Sequence, residues 1–126
     1  MLKDEYEKMP SISVDYAISE KEKDFLTVAA DFYWTDIGDW KEVWGNLPKD
    51  NGGNVIISGS ENGEVINVDS TDSLIHTDGR VIAVVDVDNI VIIDTEDALL
   101  VTTKSRAQSV KKVVERLKEE NRTNLL

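Results

Sequence analysis

One stretch of this sequence determines how the rest can fold: Trp34-Thr35-Asp36-Ile37-Gly38-Asp39-Trp40. The run before it, residues 27–34, is rich in β-branched and aromatic residues and predicts a strand. After it, apolar residues at i, i+3, i+4 and i+7 predict a short helix from Trp40 to Leu47. Asp39 precedes that helix and is predicted to cap it. We therefore expect Asp36 between the end of a strand and the start of a helix, where open α/β sheets bind ligands.

Two interpretations of Asp36 follow from its position at this glycine-assisted bend. In the first, the side chain is a turn former that accepts hydrogen bonds from nearby backbone amides. In the second, the carboxylate belongs to a metal or phosphate site, since Mg²⁺ takes hard oxygen ligands and usually only one or two carboxylates besides substrate phosphates. Residue spacing does not choose between the two.

Composition limits the classes of function. The chain has 126 residues, 40% of them hydrophobic, which suits one ordinary domain or two small modules that share a core. A net charge of −11 argues against nucleic acid and anionic membranes as partners. No apolar run reaches the roughly 18 residues of a membrane span. The absence of cysteine excludes disulfides and thiolate metal sites, and it suits a cytoplasmic protein.

Residues 48–53, Pro48-Lys49-Asp50-Asn51-Gly52-Gly53, form the clearest linker, and beyond them the sequence pattern changes to that of a β module. Its apolar runs are continuous rather than alternating, which predicts burial on both faces, as in stacked sheets or the coils of a β-solenoid. No strict hexapeptide repeat is visible, so periodicity leaves both a solenoid and a small sandwich open. The six runs are residues 55–57, 65–68, 74–76, 81–85, 90–93 and 98–101.

Three further features complete the reading from the residues. Ser11 or Ser13 can cap a short helix with Asp15 in its first turn, where an acid is favourable in any case. His76 has no second histidine and no cysteine to share an ordinary zinc site, so we predict a structural role for it. The last helix carries an apolar stripe that must be buried against another surface. This stripe and the open-ended β module together predict self-association. The stripe consists of Ala107, Val110, Val113, Val114 and Leu117.

Three stretches of the chain resemble one enzyme family, the mannose-1-phosphate guanylyltransferases of the nucleotidyltransferase superfamily. The first is Phe32-Tyr33-Trp34-Thr35-Asp36-Ile37-Gly38-Asp39-Trp40. The second is Pro10-Ser11-Ile12-Ser13-Val14-Asp15-Tyr16-Ala17-Ile18, followed by Glu20-Lys21. The third runs from Asp94 to Val114. The resemblance covers roughly Pro10 to Lys118. Tyr33 stands where the family commonly has glycine, and Asp39 where it commonly has serine.

The resemblance implies an α+β fold in two parts. Residues 1–50 would be the C-terminal remnant of an α/β nucleotidyltransferase domain, and residues 51–126 a small β-helical, left-handed solenoid-like module with a C-terminal helix. It implies transfer of GMP from GTP to mannose 1-phosphate, which makes GDP-mannose. Asp36 would bind the Mg²⁺ of the complete enzyme, while Asp15, Lys21 and Gly38 would lie at the substrate side.

No glycine-rich turn with Arg and Lys, of the kind that cradles nucleotide phosphates, occurs in these 126 residues. The chain thus resembles the C-terminal third of the enzyme, and we expect it to hold no catalytic residue of its own and to be inactive in isolation. Two alternatives stay open: a non-catalytic oligomerisation module, or part of a glucose-1-phosphate nucleotidyltransferase. In either case a homo-oligomer is expected.

Overall fold

A computed structural model describes residues 2–125, except for the side chains of Leu2, Asp4 and Thr123. The chain divides into two compact units, residues 1–34 and residues 35–126. The first unit contains helix α1, Leu2–Glu7, which the sequence analysis did not predict, and a single π-helical turn, Asp15–Ser19. That turn is shorter than the predicted helix, and the hydroxyl of Ser13, one of the two predicted caps, accepts from the Tyr16 N–H at 3.4 Å.

The strand predicted over residues 27–34 is absent, so this prediction is wrong for the described chain. The whole run is exposed, with Leu26 beside it 99% exposed and Val28 90% exposed. A strand exists only when a neighbouring strand takes up its backbone hydrogen bonds, and no described strand pairs with this run. A strand-forming sequence without a partner remains irregular.

The second unit holds one helix, six strands and a second helix in chain order. Helix α2 spans Trp40–Asn46. The strands are β1 Val55–Ser58, β2 Glu64–Val68, β3 Leu74–Thr77, β4 Val81–Val85, β5 Ile90–Asp94 and β6 Leu99–Thr103. A 3₁₀ helix, Lys104–Ser109, leads into helix α3, Val110–Glu119, and a 3₁₀ turn, Thr123–Leu125, follows it. All six predicted apolar runs are strands, which confirms the predicted β module.

The strands form two sheets that alternate along the chain, as in a β-helix. Sheet I has the order β1-β3-β5-β6 and sheet II the order β2-β4. Pairing is parallel within both sheets except between β5 and β6. Leu74 pairs with Val91 and Glu64 with Val81, so one coil is 17 residues long. This arrangement selects stacked coils over a sandwich, since successive strands alternate between the sheets and return parallel.

The central strands of sheet I, β3 and β5, are buried on both faces, as the continuous apolar runs predict, whereas β2, β4 and β6 are buried on alternate residues only. One face, with Val55, Leu74 and Val91, packs against α2. The other face, with Ile75 and Ile92, packs against sheet II. All five residues of β5 are buried. The sheet is therefore the middle layer of the second unit, between α2 and sheet II.

One corner of the coils repeats an unusual backbone conformation. Gly53, Asp72 and Asn89 have φ values of 77°, 53° and 57°, and each lies two residues before a mutually paired residue of β1, β3 or β5. Glycine, asparagine and aspartate are the residues that adopt this left-handed region most readily. The N–H of Asp72 donates to the Gly52 carbonyl at 2.9 Å, and that of Asn89 to the Thr71 carbonyl at 3.1 Å. These stacked corners fix the register of the coils.

Buried polar side chains connect one coil to the next. The Asn54 side chain donates to the Ser70 carbonyl at 3.0 Å and accepts from the Ser73 N–H at 3.0 Å. The Ser73 hydroxyl in turn accepts from the Ile90 N–H, and the Ser70 hydroxyl from the Val87 N–H. Asn54 is 2% exposed and Ser73 fully buried, so each bond satisfies a group that would otherwise be desolvated without a partner.

The last strand reverses direction and ends the coils. The Thr95 hydroxyl donates to the Ala98 carbonyl in the turn between β5 and β6. Beside this turn, Arg80 pairs with the buried Asp94 through Nη2 and Oδ1 at 2.8 Å. His76 Nδ1 lies 3.0 Å from the Asp94 carbonyl oxygen, which only accepts, so Nδ1 carries the proton. His76 is structural, as predicted.

Candidate functional site

The loop of residues 35–39 leads into α2, and Asp39 caps that helix as predicted. Its Oδ1 accepts from the N–H of Lys41 at 2.9 Å and of Glu42 at 3.1 Å. The hydrogen bond from the Glu42 amide is the main reason that the pKa of Asp39 lies below its usual value, with further lowering from Gln108 and Lys41. The Asp39 carboxylate is thus used within the helix cap.

Asp36 lies in the same loop, four residues before α2 begins, and its side chain is exposed. Within the described residues its carboxylate makes no hydrogen bond or ion pair, so it does not act as the turn-capping group of the first interpretation. A Cβ at Gly38 would meet nothing within 4 Å. The loop therefore presents one unengaged carboxylate beside an uncrowded glycine.

The residues present do not form a magnesium site by themselves. Among residues 2–125, no group of three His, Cys, Asp or Glu side chains is placed to hold a metal ion. Mg²⁺ dehydrates reluctantly and needs an octahedral set of oxygens, of which Asp36 offers one. Asp39, the nearest second carboxylate in sequence, accepts two backbone hydrogen bonds instead.

The other predicted site residues, Asp15 and Lys21, belong to the first unit, whereas Asp36 and Gly38 belong to the second. Asp15 begins the π-helical turn, where an acid is electrostatically favourable for the helix alone. Lys21 follows that turn, and its backbone N–H donates to the Ile18 carbonyl at 3.0 Å. Both side chains are exposed.

Trp44 fastens α2 to the coils through a hydrogen bond and two lysine contacts that the sequence analysis did not predict. Its indole N–H donates to the Gly53 carbonyl at 2.9 Å. Two ammonium groups lie near its ring centroid, Lys104 Nζ at 3.3 Å and Lys49 Nζ at 4.5 Å. Burial, followed by the charges of Lys49 and Lys41, lowers the pKa of Lys104, while the charge of Asp72 opposes this shift. Lysines 49 and 104 are 55 residues apart, so no local pattern shows that they meet at one ring.

The two tryptophans of α2 are half-buried. Trp40, Val43 and Trp44 pack on the core of Val55, Leu74, Val91 and Ile93.

Helix α3 leaves its apolar stripe only partly covered, with Val113 51% exposed. A groove of about 410 Å³ separates α3 from residues 38–40 and is lined by Trp40, Val110 and Val114. In the described part of the chain, no helix is long and apolar enough to cross a bilayer.

Comparison with known proteins shows what this chain is similar to. Residues 63–117 match a family model described as a MannoseP isomerase/GMP-like beta-helix domain. A mannose-1-phosphate guanylyltransferase of Escherichia coli is 41% identical over 114 residues, 90% of this chain and 23% of that protein. The alginate biosynthesis protein AlgA of Pseudomonas aeruginosa is 35% identical over 94% of this chain and 24% of its own length.

A solved structure agrees with the sequence matches. It is described as a mannose-1-phosphate geranyltransferase from Thermus thermophilus and superposes with a TM-score of 0.81 at 30% identity. The match covers 94% of this chain and 34% of that one. The chain thus spans about a quarter of the length of these curated relatives. The matches confirm the resemblance found in the three sequence stretches: the chain is similar to a C-terminal part of the mannose-1-phosphate guanylyltransferases and carries a match to their beta-helix domain.

Proposed function

We propose that this chain forms the C-terminal part of an enzyme that transfers GMP from GTP to mannose 1-phosphate and so makes GDP-mannose. In that enzyme, residues 1–50 would complete the nucleotidyltransferase domain and residues 51–126 would form a left-handed β-helical module. The substrates, the Mg²⁺ cofactor and the cytoplasmic setting belong to this proposal. Neither nucleic acid nor a membrane is expected as a partner.

The observation that supports the proposal most directly is the unengaged carboxylate of Asp36 in a loop anchored by α2. Asp39 caps the helix with its own carboxylate, so the two acids of the loop have different tasks. We assign Asp36 as one oxygen ligand of a magnesium site and Gly38 as the place where substrate can approach the backbone. Asp15 and Lys21 are the candidates for the sugar-phosphate side.

The isolated chain should not catalyse the reaction. Its one unengaged loop carboxylate is too few for a magnesium site, and a chain with a net charge of −11 repels a nucleotide triphosphate. The first test mixes the purified chain with GTP, mannose 1-phosphate and Mg²⁺ and measures pyrophosphate release. Turnover by the isolated chain would contradict the fragment assignment.

A chimera tests the assignment of Asp36. The residues of this chain replace the matching segment of the Escherichia coli guanylyltransferase, and pyrophosphate release is measured at several Mg²⁺ concentrations. We expect the chimera to be active and Asp36→Ala to lower kcat by about a hundredfold or more, as loss of one transition-state charge partner commonly does. Asp31→Ala, another exposed carboxylate, is the matched control and should leave kcat unchanged. Full activity of Asp36→Ala would contradict the assignment of Asp36 as a metal ligand.

Two other assignments remain distinguishable by experiment. If the chimera prefers glucose 1-phosphate to mannose 1-phosphate, the chain derives from a glucose-1-phosphate nucleotidyltransferase. If the chimera folds but never turns over, the chain is a non-catalytic oligomerisation module. Exposed apolar side chains on β4 and β6 favour the second of these alternatives over the first, because they are suited to contact another chain.

A further inference from the structure

The loop that carries Asp36 is held at its end by a residue that follows the six strands. The carboxylate of Asp39 accepts hydrogen bonds from two backbone amides in the first turn of α2, at 2.9 and 3.1 Å. It also accepts a hydrogen bond from the side-chain amide of Gln108. Gln108 belongs to the 3₁₀ helix Lys104–Ser109, which comes directly after β6. One carboxylate thus connects the loop, the start of α2 and the 3₁₀ helix.

The 3₁₀ helix contacts both the coils and α2 at further points. The backbone N–H of Lys104 donates to the Asn89 carbonyl at 3.0 Å, and Lys104 Nζ lies 3.3 Å from the centroid of the Trp44 ring. Ala107 is 4% exposed and lines the same groove as Trp40. Residues three apart in a 3₁₀ helix lie on the same side, so Lys104 and Ala107 face α2 together. The 3₁₀ helix is therefore attached to a coil on one side and to α2 on the other.

The attachment at Asp39 bears on Asp36 because the two residues are only three positions apart in the sequence. In the described chain no side chain holds the Asp36 carboxylate, so its direction is set by the backbone of the loop. A metal ligand has to be held within about 0.5 Å of its productive position. A displacement of about 1 Å can lower a reaction rate by about a hundredfold. Fixing Asp39 limits how far the backbone of Asp36 can move.

We propose that Gln108 is a positioning residue for the transfer of GMP: through Asp39 it holds the loop in the conformation in which Asp36 can act as a metal ligand. The inference rests on the proposed function, and it gives the residues after β6 a task in the reaction. Gln108 acts only through Asp39. An uncharged amide is suited to this place, because a carboxylate there would repel that of Asp39.

The competing explanation is that Gln108 only stabilises α2 and has no effect on metal binding. Two observations favour the positioning role. Gln108 is exposed, so its substitution leaves no cavity in the core. The cap of α2 is already made by the two backbone amides that donate to Asp39. Loss of the Gln108 hydrogen bond should therefore change the loop more than the stability of the fold.

Substitutions in the chimera with the Escherichia coli guanylyltransferase test the proposal. Gln108→Met keeps the length of the side chain and removes the hydrogen bond. It should lower kcat by about tenfold and weaken the binding of Mn²⁺, used in place of Mg²⁺, by a similar factor. Electron paramagnetic resonance measures Mn²⁺ binding in the presence of GDP-mannose. The midpoint of thermal unfolding should change by less than about 2 °C. Arg106→Met, at an exposed residue of the same 3₁₀ helix, is the matched control and should leave all three quantities unchanged.

Exchange of the donor and the acceptor gives the most specific result. Gln108→Glu places a second carboxylate against Asp39 and should lower kcat further than Gln108→Met. Adding Asp39→Asn should recover most of that loss, because the new amide at position 39 can donate to the carboxylate at position 108 and still cap α2.

Three outcomes would overturn the inference and leave the proposed function intact. They are unchanged kcat and Mn²⁺ binding in Gln108→Met, a double variant no better than Gln108→Glu, and activity that falls only in proportion to the loss of folded protein. A chimera that is inactive before any of these substitutions would overturn the proposed function, and this inference with it.

Discussion

Residues 24–34 and strand β5 both contain many strand-favouring residues, but only β5 forms a strand. Both are rich in residues that favour strands. Strand β5 lies between β3 and β6, and all five of its residues are buried. Residues 24–34 have no strand neighbour in the described chain, and each of them is exposed. The comparison teaches that strand propensity gives structure only where a neighbour completes the backbone hydrogen bonds and covers a face.

Substitution of one leucine in each region gives the largest expected contrast. Leu74→Ala should lower the free energy of unfolding by about 2–5 kcal/mol, because Leu74 is fully buried and its removal leaves a cavity. Leu26→Ala, at a residue 99% exposed, should change it by less than about 0.5 kcal/mol. Urea unfolding at low protein concentration, followed by tryptophan fluorescence, measures both. Equal effects would mean that residues 24–34 are packed in solution.

Tryptophan substitutions extend the comparison to α2. Trp44→Ala should cost about 2–4 kcal/mol, below the upper end of the range for buried aromatics because Trp44 is half-buried. Trp44→Phe should cost about 1 kcal/mol, since it removes the hydrogen bond to the Gly53 carbonyl and keeps most of the apolar contact. Trp34→Ala, at a residue 74% exposed, is the control. The midpoint of thermal unfolding reports all three, and an unchanged midpoint in Trp44→Ala would remove Trp44 as the anchor of α2.

Removal of a buried polar connection between coils should have an intermediate effect on the free energy of unfolding. Asn54→Ala leaves the buried Ser73 N–H without its acceptor and should cost about 1–3 kcal/mol. Asn62→Ala, at an exposed turn position, should cost less than about 0.5 kcal/mol. Hydrogen exchange of the Ser73 amide is the direct measurement. Its protection should fall in Asn54→Ala and stay at the wild-type level in Asn62→Ala.

Substitution of the two aspartates of the loop should give a smaller difference in the free energy of unfolding. Asp39→Ala removes the cap of α2 and should cost about 1 kcal/mol, whereas Asp36→Ala, whose carboxylate has no described partner, should be neutral. Chemical denaturation of the two variants at neutral pH makes the comparison. Loss of stability in Asp36→Ala would show that its carboxylate has a structural role.

Lowering the pH should have the smallest and most gradual effect on the free energy of unfolding. Folding lowers the pKa of Asp39 and Asp50, mainly through hydrogen bonds from the amides of Glu42 and Asn54, so protonation favours the unfolded chain. Their contribution is complete above the ordinary aspartate value of about 3.9 and is lost as pH falls through the lowered folded values. Unfolding free energies measured between about pH 3 and pH 7 should therefore drop at the acidic end, and the drop should be shallower in Asp39→Ala. A stability that rises on acidification would contradict this.

The sequence predicts the β module well, because each coil strand is a short apolar run bounded by turn residues. It predicts the Asp39 cap for a similar reason: a cap is a local hydrogen bond between residues close in sequence. The coil period was missed, although Asp69 and Asp86 both follow a valine and lie 17 residues apart with positive φ. Two extra residues in the first coil, where Val55 pairs with Leu74, hide that period from a search for strict repeats.

Long-range contacts account for what the sequence did not show. The lysines on the Trp44 ring come from either side of the six strands, and nothing local indicates that they meet. Residues 27–34 are rich in β-branched and aromatic residues and still form no strand, because a partner strand is not a property of the run itself. The sequence does not establish the role of Asp36 for the same reason: it shows one carboxylate but not the other oxygen ligands of a metal site.

The stacked corners at Gly53, Asp72 and Asn89 give this fold a unit of growth. Each corner accepts the next through the same backbone bonds, and the second coil begins and ends with equivalent positions. Duplicating residues 73–89 in tandem would therefore insert a whole coil with its own corner and lengthen the stack by about 4.8 Å, the spacing of neighbouring strands. Such a duplication is a single genetic event that keeps the hydrogen bonds between neighbouring coils, so the stack can grow in steps of one coil.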